Sequence, residues 1–123
     1  MALQKKTVLI ADDEDLIREL VADALSDDFN VLQAQDGEAA LRLFEQHRDE
    51  VVLIITDLVM PRMRGDVLAE KIREHCSSLP IVFISGYERE IQPDALLAKG
   101  KTAFLSKPFD VESLILTLRT VLV

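Results

Sequence analysis

The chain is poor in cysteine, histidine and basic residues, and it has no long apolar run. Its single cysteine, Cys76, permits no internal disulfide and fits a reducing cytoplasm. Cys76 follows helix-like sequence and reads as a partly buried small hydrophobe, not a nucleophile. The two histidines, His47 and His75, lie in polar helix ends far in sequence from the acids, which argues against a His–Asp–Ser triad. Fourteen Lys and Arg against 22 Asp and Glu leave a net charge of −8, so the chain repels phosphate backbones and is not expected to bind nucleic acid directly. No stretch is long enough to span a bilayer, and Met1-Ala2-Leu3-Gln4-Lys5-Lys6 lacks the apolar core of a signal peptide. A cytoplasmic location without a membrane partner is therefore expected. There is no internal repeat and no low-complexity segment. The 49% of hydrophobic residues supports a real core, and 123 residues suit one domain, 1–123.

That hydrophobic content is concentrated in short runs that end on polar residues. Val8–Ala11 runs into Asp12-Asp13, and Val51–Ile55 runs through Thr56 into Asp57. Ile81–Ile84 runs into Ser85, and Ala103-Phe104-Leu105 leads through Ser106 to Lys107-Pro108. Continuous β-branched runs bounded by turn signals predict parallel strands buried on both faces. Asn30–Ala34 is a shorter and less apolar run, as an edge strand is.

Helical periodicity fills the gaps. Leu16, Ile17, Leu20, Val21, Ala24 and Leu25 predict an amphipathic helix over about residues 15–26. Asp36-Gly37 turns the chain into a helix carrying Ala40, Leu41 and Phe44. Met60-Pro61 and Gly65 mark a loop, after which a helix over about 66–75 turns Leu68 and Ile72 inward. Pro80 opens the fourth strand. Pro93 fits only the first position of a helix, so a short helix over about 93–99 is predicted behind a loop, Gly86–Gln92, with Gly100 as its stop. Val111, Leu114, Ile115, Leu118 and Leu122 draw the apolar stripe of the last helix, with Asp110 as N-cap. Alternating strands and helices with short joints predict an α/β fold: a doubly wound parallel sheet of five strands, with five helices on its two faces.

Ligands of such sheets bind beyond the carboxyl ends of the strands. There the sequence places carboxylates, a hydroxyl and an ammonium. Asp12, Asp13 and Glu14 repel one another, and confining them at a sheet end costs free energy unless a cation neutralises them. Oxygen ligands of this kind suit Mg²⁺, which prefers phosphate as a co-ligand. Taken alone, the cluster reads equally as a solvated acidic turn at a helix N-terminus. Asp57 is flanked by apolar residues on both sides and must be paired, protonated or metal-bound. A carboxylate beside a metal can accept a phosphoryl group. Lys107 supplies a compact positive charge for a carboxylate or phosphoryl oxygen, and Ser85 a hydroxyl.

The segments V-L-I-A-D-D-E, L-I-I-T-D-L-V-M-P-R-M-R-G, I-V-F-I-S-G and F-L-S-K-P-F occur in that order, and through them the chain resembles the response-regulator receiver domains of two-component signalling. The resemblance spans essentially the whole chain. It implies a flavodoxin-like sheet of strand order 2-1-3-4-5, a topology taken from the family and not from the periodicity. It implies that Asp57 is phosphorylated, that Asp13, Asp57 and the Val59 carbonyl hold Mg²⁺, and that Asp12 acts on the metal largely through water. Ser85 would be the switch hydroxyl, Lys107 the phosphoryl-binding lysine and Phe104 the switch aromatic. The Lys107-Pro108 bond is expected to be cis.

The partners so implied are a sensor histidine kinase or phosphotransfer protein as donor. An output partner or domain would sit on the face of the short fourth helix, the fifth strand and the last helix. Val59 and Tyr87 are neither acidic nor amide-bearing, which implies slow loss of the phosphoryl group. The chain is not expected to be an enzyme beyond its own phosphorylation and dephosphorylation. Its rivals are a small phosphohydrolase with an aspartate nucleophile, a flavin module of the same fold, and a docking-only receiver. The first lacks a cap to bind substrate, and the second needs a Ser/Thr/Gly-rich loop where this chain has Asp-Asp-Glu. The third sits poorly with an intact Asp12, Asp13, Asp57, Ser85 and Lys107.

Overall fold

Each apolar run forms a strand, and every strand pair is parallel. The computed structural model describes residues 5–86 and 101–122. Within them the order is β1 (Lys6–Ala11), α1 (Asp15–Leu25), β2 (Phe29–Ala34), α2 (Gly37–Gln46), β3 (Val51–Asp57), α3 (Gly65–Arg73), β4 (Ile81–Ser85), β5 (Thr102–Ser106) and α4 (Val111–Leu122). The strands lie in the order β2-β1-β3-β4-β5, so the chain winds from β1 outward to one edge and then back across to the other. This is the expected flavodoxin-like sheet. Four helices appear among the described residues; the short helix expected over 93–99 and the loop to Gln92 fall largely outside them.

Period-two alternation sorts the strand residues onto two faces. Leu9, Ile54, Ile81 and Phe83 pack with Ala40 and Phe44 of α2 and with Leu68 and Ile72 of α3. Val8, Ile10, Leu53, Ile55, Val82 and Ile84 pack with Val21 and Leu25 of α1 and with Leu114, Leu118 and Val121 of α4. The central strands are therefore buried on both sides, which is why they read as unbroken apolar runs. β2 is the partly exposed edge its composition suggested.

Two helical stripes differ from the sequence reading. Leu16 is 80% exposed. It lies nine residues before the buried Leu25, roughly two and a half turns, and so on the opposite side of α1. On α4 the buried residues are Leu114, Leu118 and Val121, whereas Val111 and Leu122 face outward. Asp110 does cap that helix: the Ser113 N–H donates to its Oδ1 at 2.8 Å, a bond that holds the exposed carboxyl below its usual range. Asp36 caps α2 in the same way through the Ala39 N–H. No described helix is long and apolar enough to cross a membrane.

Candidate functional site

Backbone hydrogen bonds carry the ladder one residue past the strand ends. The N–H of Asp12 donates to the Ala34 carbonyl, that of Leu58 to Ile84, and that of Lys107 to Ser85, at 3.1, 3.0 and 2.9 Å. These bonds fix the residues that leave the sheet at its carboxyl edge, and their side chains converge there. Asp13, Glu14, Asp57, Val59, Ser85, Gly86 and Lys107 line a cavity of about 240 Å³.

Lys107 organises the charges. Its Nζ lies 2.6 Å from Glu14 Oε1, 3.1 Å from Asp57 Oδ2 and 3.3 Å from Asp12 Oδ2. Asp12 is fully buried and Asp57 is nearly so, while Asp13 and Glu14 face solvent. The Glu14 N–H donates to Asp12 Oδ1 at 2.8 Å, and the Val59 N–H reaches Asp57 Oδ1 at 3.4 Å. Arg18 donates to the Asp12 carbonyl at 2.8 Å, pinning the turn from β1 into α1. The Lys107-Pro108 peptide is cis, as expected.

Asp12, Asp13 and Asp57 each offer a carboxylate oxygen, and the three oxygens lie within 4.8 Å of one another. Asp12 Oδ2 is buried, with no hydrogen-bond partner among the described residues. The Lys107 ammonium stands 3.3 Å from it as an ion-pair partner. A buried carboxylate oxygen left unbonded, beside two more carboxylates, fits a hard cation that takes oxygen ligands.

Without such a cation the acids resist ionisation. Burial pushes the Asp12 carboxyl up from 3.8 to about 6; the Glu14 N–H opposes the rise, the Asp57 charge adds to it and Lys107 opposes it. Asp57 is raised too, again by burial first, against the hydrogen bond and charge of Lys107. Burial also disfavours the charge on Lys107, but its bonds to Glu14 and Asp57 and the charges of Asp12 and Asp57 outweigh this, so its ammonium is held above the usual lysine range.

The Asp12 shift predicts a pH dependence. The folded chain keeps a proton on Asp12 up to about pH 6, whereas the unfolded chain releases it near 3.8. The folded state thus binds more protons across that window, and stability is lost as pH rises through it, by on the order of 3 kcal/mol from this group. Urea unfolding in the presence of a chelator should show a higher midpoint at pH 4.5 than at pH 7. A midpoint that climbs steadily over the same range would contradict the assignment.

The comparisons with known proteins agree with this architecture. The family model of the response regulator receiver domain matches residues 8–119. The chain belongs to this family. The sensor kinase CckA of Brucella abortus is 35% identical over 117 residues, 94% of this receiver and 12% of that kinase. The structure of the chemotaxis protein CheY4 of Vibrio cholerae superposes with a TM-score of 0.82 at 32% identity, covering 95% of this chain and 98% of that one. A chain of the CheX-CheY-BeF3-Mg complex of Borrelia burgdorferi gives a TM-score of 0.85 at 28% identity, over 98% of this chain and 91% of that one. The receiver spans between 9% and 50% of the length of the first curated relatives it matches.

Of the residues singled out from sequence, Asp12, Asp13, Asp57, Val59, Ser85 and Lys107 do meet at one sheet edge. Phe104 does not border the cavity: it packs with the α2–α3 face, its ring stacked on Phe83 with centroids 5.4 Å apart. Phe83, Ser85 and Phe104 share that face, since Phe83 and Phe104 are register partners and Ser85 follows Phe83 by two. Tyr87 lies outside the described residues. His47 bonds Glu50 at 3.3 Å, and His75 is exposed.

Sequence reading missed the ion pair between Glu14 and Lys107, 93 residues apart. It also missed the role of Gly65, on which an added Cβ would stand 2.0 Å from the Asp57 carbonyl oxygen. No local sequence pattern signals the ion pair, and the only sequence sign of Gly65 is its place at the end of the loop after Asp57.

Proposed function

We propose that this receiver accepts a phosphoryl group on Asp57 from the phosphohistidine of a sensor histidine kinase or phosphotransfer protein, or from a small phosphodonor. The observation that carries the reading is Lys107, whose ammonium contacts the nearly buried Asp57 carboxylate at 3.1 Å on the wall of an open cavity. A carboxylate oxygen of Asp57 attacks phosphorus; the new O–P bond forms as the donor's N–P or O–P bond breaks, and the leaving atom keeps the electron pair. Lys107 binds an oxygen of the incoming group and neutralises its charge, and Ser85, on the same cavity, donates its hydroxyl to another.

Asp12, Asp13 and Asp57, with the Val59 carbonyl, would hold Mg²⁺. The cation supplies charge neutralisation for the transferring group. The related Borrelia complex contains both Mg²⁺ and BeF3, a phosphoryl analogue, which supports the same chemistry here.

Once Asp57 is phosphorylated, Ser85 turns toward the new oxygens and vacates space for Phe104 on the face they share, biasing the protein toward a second arrangement. Its output partner then reads the face of β5 and α4; the short helix expected beside them over 93–99 lies outside the described residues. We read that partner as a protein and not a nucleic acid, since a net charge of −8 repels phosphate backbones, and the cytoplasm as the expected place of action.

Incubation with acetyl phosphate and Mg²⁺ tests the reading. Intact mass is expected to rise by one phosphoryl group, to lose that group on treatment with hydroxylamine, which expels phosphate and leaves a hydroxamate on Asp57, and to stay unchanged when EDTA is present from the start. Uptake that ignores EDTA, or that resists hydroxylamine, refutes an acyl phosphate formed at a metal-assisted site.

A further inference from the structure

Glu14 occupies the N-cap position of α1 without capping it. Its backbone is extended, with φ −89° and ψ 114°, and its side chain makes no bond to the first turn. N-cap side chains are ordinarily short and accept from the amides just inside the helix. Here the backbone is fixed by other means, the N–H on Asp12 Oδ1 and the carbonyl accepting from the Arg18 N–H at 3.1 Å. The carboxylate is left to reach out of the helix to Lys107.

That contact, at 2.6 Å, is shorter than the distance from Lys107 to either buried acid. The side chain of Glu14 is 57% exposed and that of Lys107 only 16%. Glu14, Asp57 and Lys107 all line the cavity, so an anion entering it meets a lysine already engaged by Glu14. An ammonium has three N–H donors, and two are already taken, by Glu14 and Asp57.

We infer that Glu14 is a tethered competitor of the phosphoryl group: its carboxylate holds Lys107 in the unphosphorylated protein, must yield for phosphoryl transfer, and returns when the group is lost. This rests on the reading of Asp57 and Lys107 given above. Glu14 is on this account a positioning residue acting through Lys107. It lowers the affinity of the site for small phosphorylated donors and analogues, and leaves the turn of β1 into α1 unchanged.

The test titrates beryllofluoride, with Mg²⁺ saturating, into the wild-type protein, Glu14→Gln and Glu14→Asp, following backbone amide resonances. Glu14→Gln removes the anion and is expected to bind beryllofluoride about fivefold more tightly, in keeping with a half-exposed ion pair. Glu14→Asp keeps the charge but is one methylene short of Lys107, and should resemble Glu14→Gln more than the wild type. The gain should shrink in 1 M KCl, where such a pair is screened. Equal affinity of Glu14→Gln and wild type overturns the inference while leaving the phosphoryl-acceptor reading standing. So does Glu14→Asp behaving as wild type, since general repulsion then suffices. If no protein binds beryllofluoride, the acceptor reading fails and the inference fails with it.

Discussion

Asp57→Asn should take up no phosphoryl group from acetyl phosphate and Mg²⁺, against one in the wild type, and it should do so while folding at least as well. The amide of asparagine has the shape of the carboxylate but no anionic oxygen to attack phosphorus, so the loss should exceed about a hundredfold in rate, the scale of removing a nucleophile. Folding separates the chemical loss from a structural one. Burial disfavours the charged form of Asp57, so a neutral side chain of the same size removes a cost of the native state. Lys107 keeps Glu14 at 2.6 Å and Asp12 at 3.3 Å and is not stranded. The melting temperature without metal is therefore expected to equal or exceed that of the wild type. Neither neighbouring acid is a ready substitute nucleophile: Asp12 is buried with Oδ1 engaged by the Glu14 N–H, and Asp13 lacks the contact with Lys107. Intact-mass measurement decides the outcome, and stable phosphorylation of Asp57→Asn would move the acceptor to another residue.

The strands themselves and the meeting of six site residues were legible because both depend on short, local sequence signals. A strand buried on both faces needs an unbroken apolar run, and the residue that follows it must sit at the carboxyl edge. Asp12, Asp57, Ser85 and Lys107 are each that residue or within two of it. The strand order came from family resemblance, since periodicity alone does not say which parallel strands are neighbours. Leu16 shows where local reading fails: it satisfies helical spacing with Leu20, but α1 turns its buried side toward Val21 and Leu25, and only the packing decides that. The Glu14–Lys107 pair was hidden for a different reason. It joins the first and last strand ends, and no local pattern connects residues so far apart in the chain. Arg62, at φ 71° and 3.9 Å from Asp36, is likewise placed by tertiary fit of the loop after Asp57 against the start of α2.

That loop ends at Gly65, where Gly65→Ala is expected to be the most damaging small substitution among the described residues near the site. The first residue of α3 sits directly against the end of β3. A Cβ there would stand 2.0 Å from the Asp57 carbonyl oxygen, 2.9 Å from its carbon and 3.1 Å from the Leu58 Cα. All three are backbone atoms, so no side-chain rotation relieves the overlap. The Gly65 N–H also donates to the Leu58 carbonyl at 2.9 Å, and the Thr56 hydroxyl to the Asp57 carbonyl at the same distance, which resists a shift of either partner. Relief requires moving the helix off the strand end or turning the Asp57 peptide. Overpacking of this kind costs about 3 kcal/mol or more, and about 10 °C in melting temperature for a chain of this size. Because the displaced peptide is that of Asp57 itself, whatever fraction stays folded should also take up phosphoryl groups more slowly than the wild type. Gly86→Ala is the control: among the described residues its Cβ would meet only the Lys107 Cβ, at 4.0 Å, and its backbone needs no left-handed conformation. It should melt close to the wild type. Thermal unfolding of the three proteins side by side decides between them, and a Gly65→Ala protein melting within 2 °C of the wild type would show that the strand end yields where its hydrogen bonds say it should not.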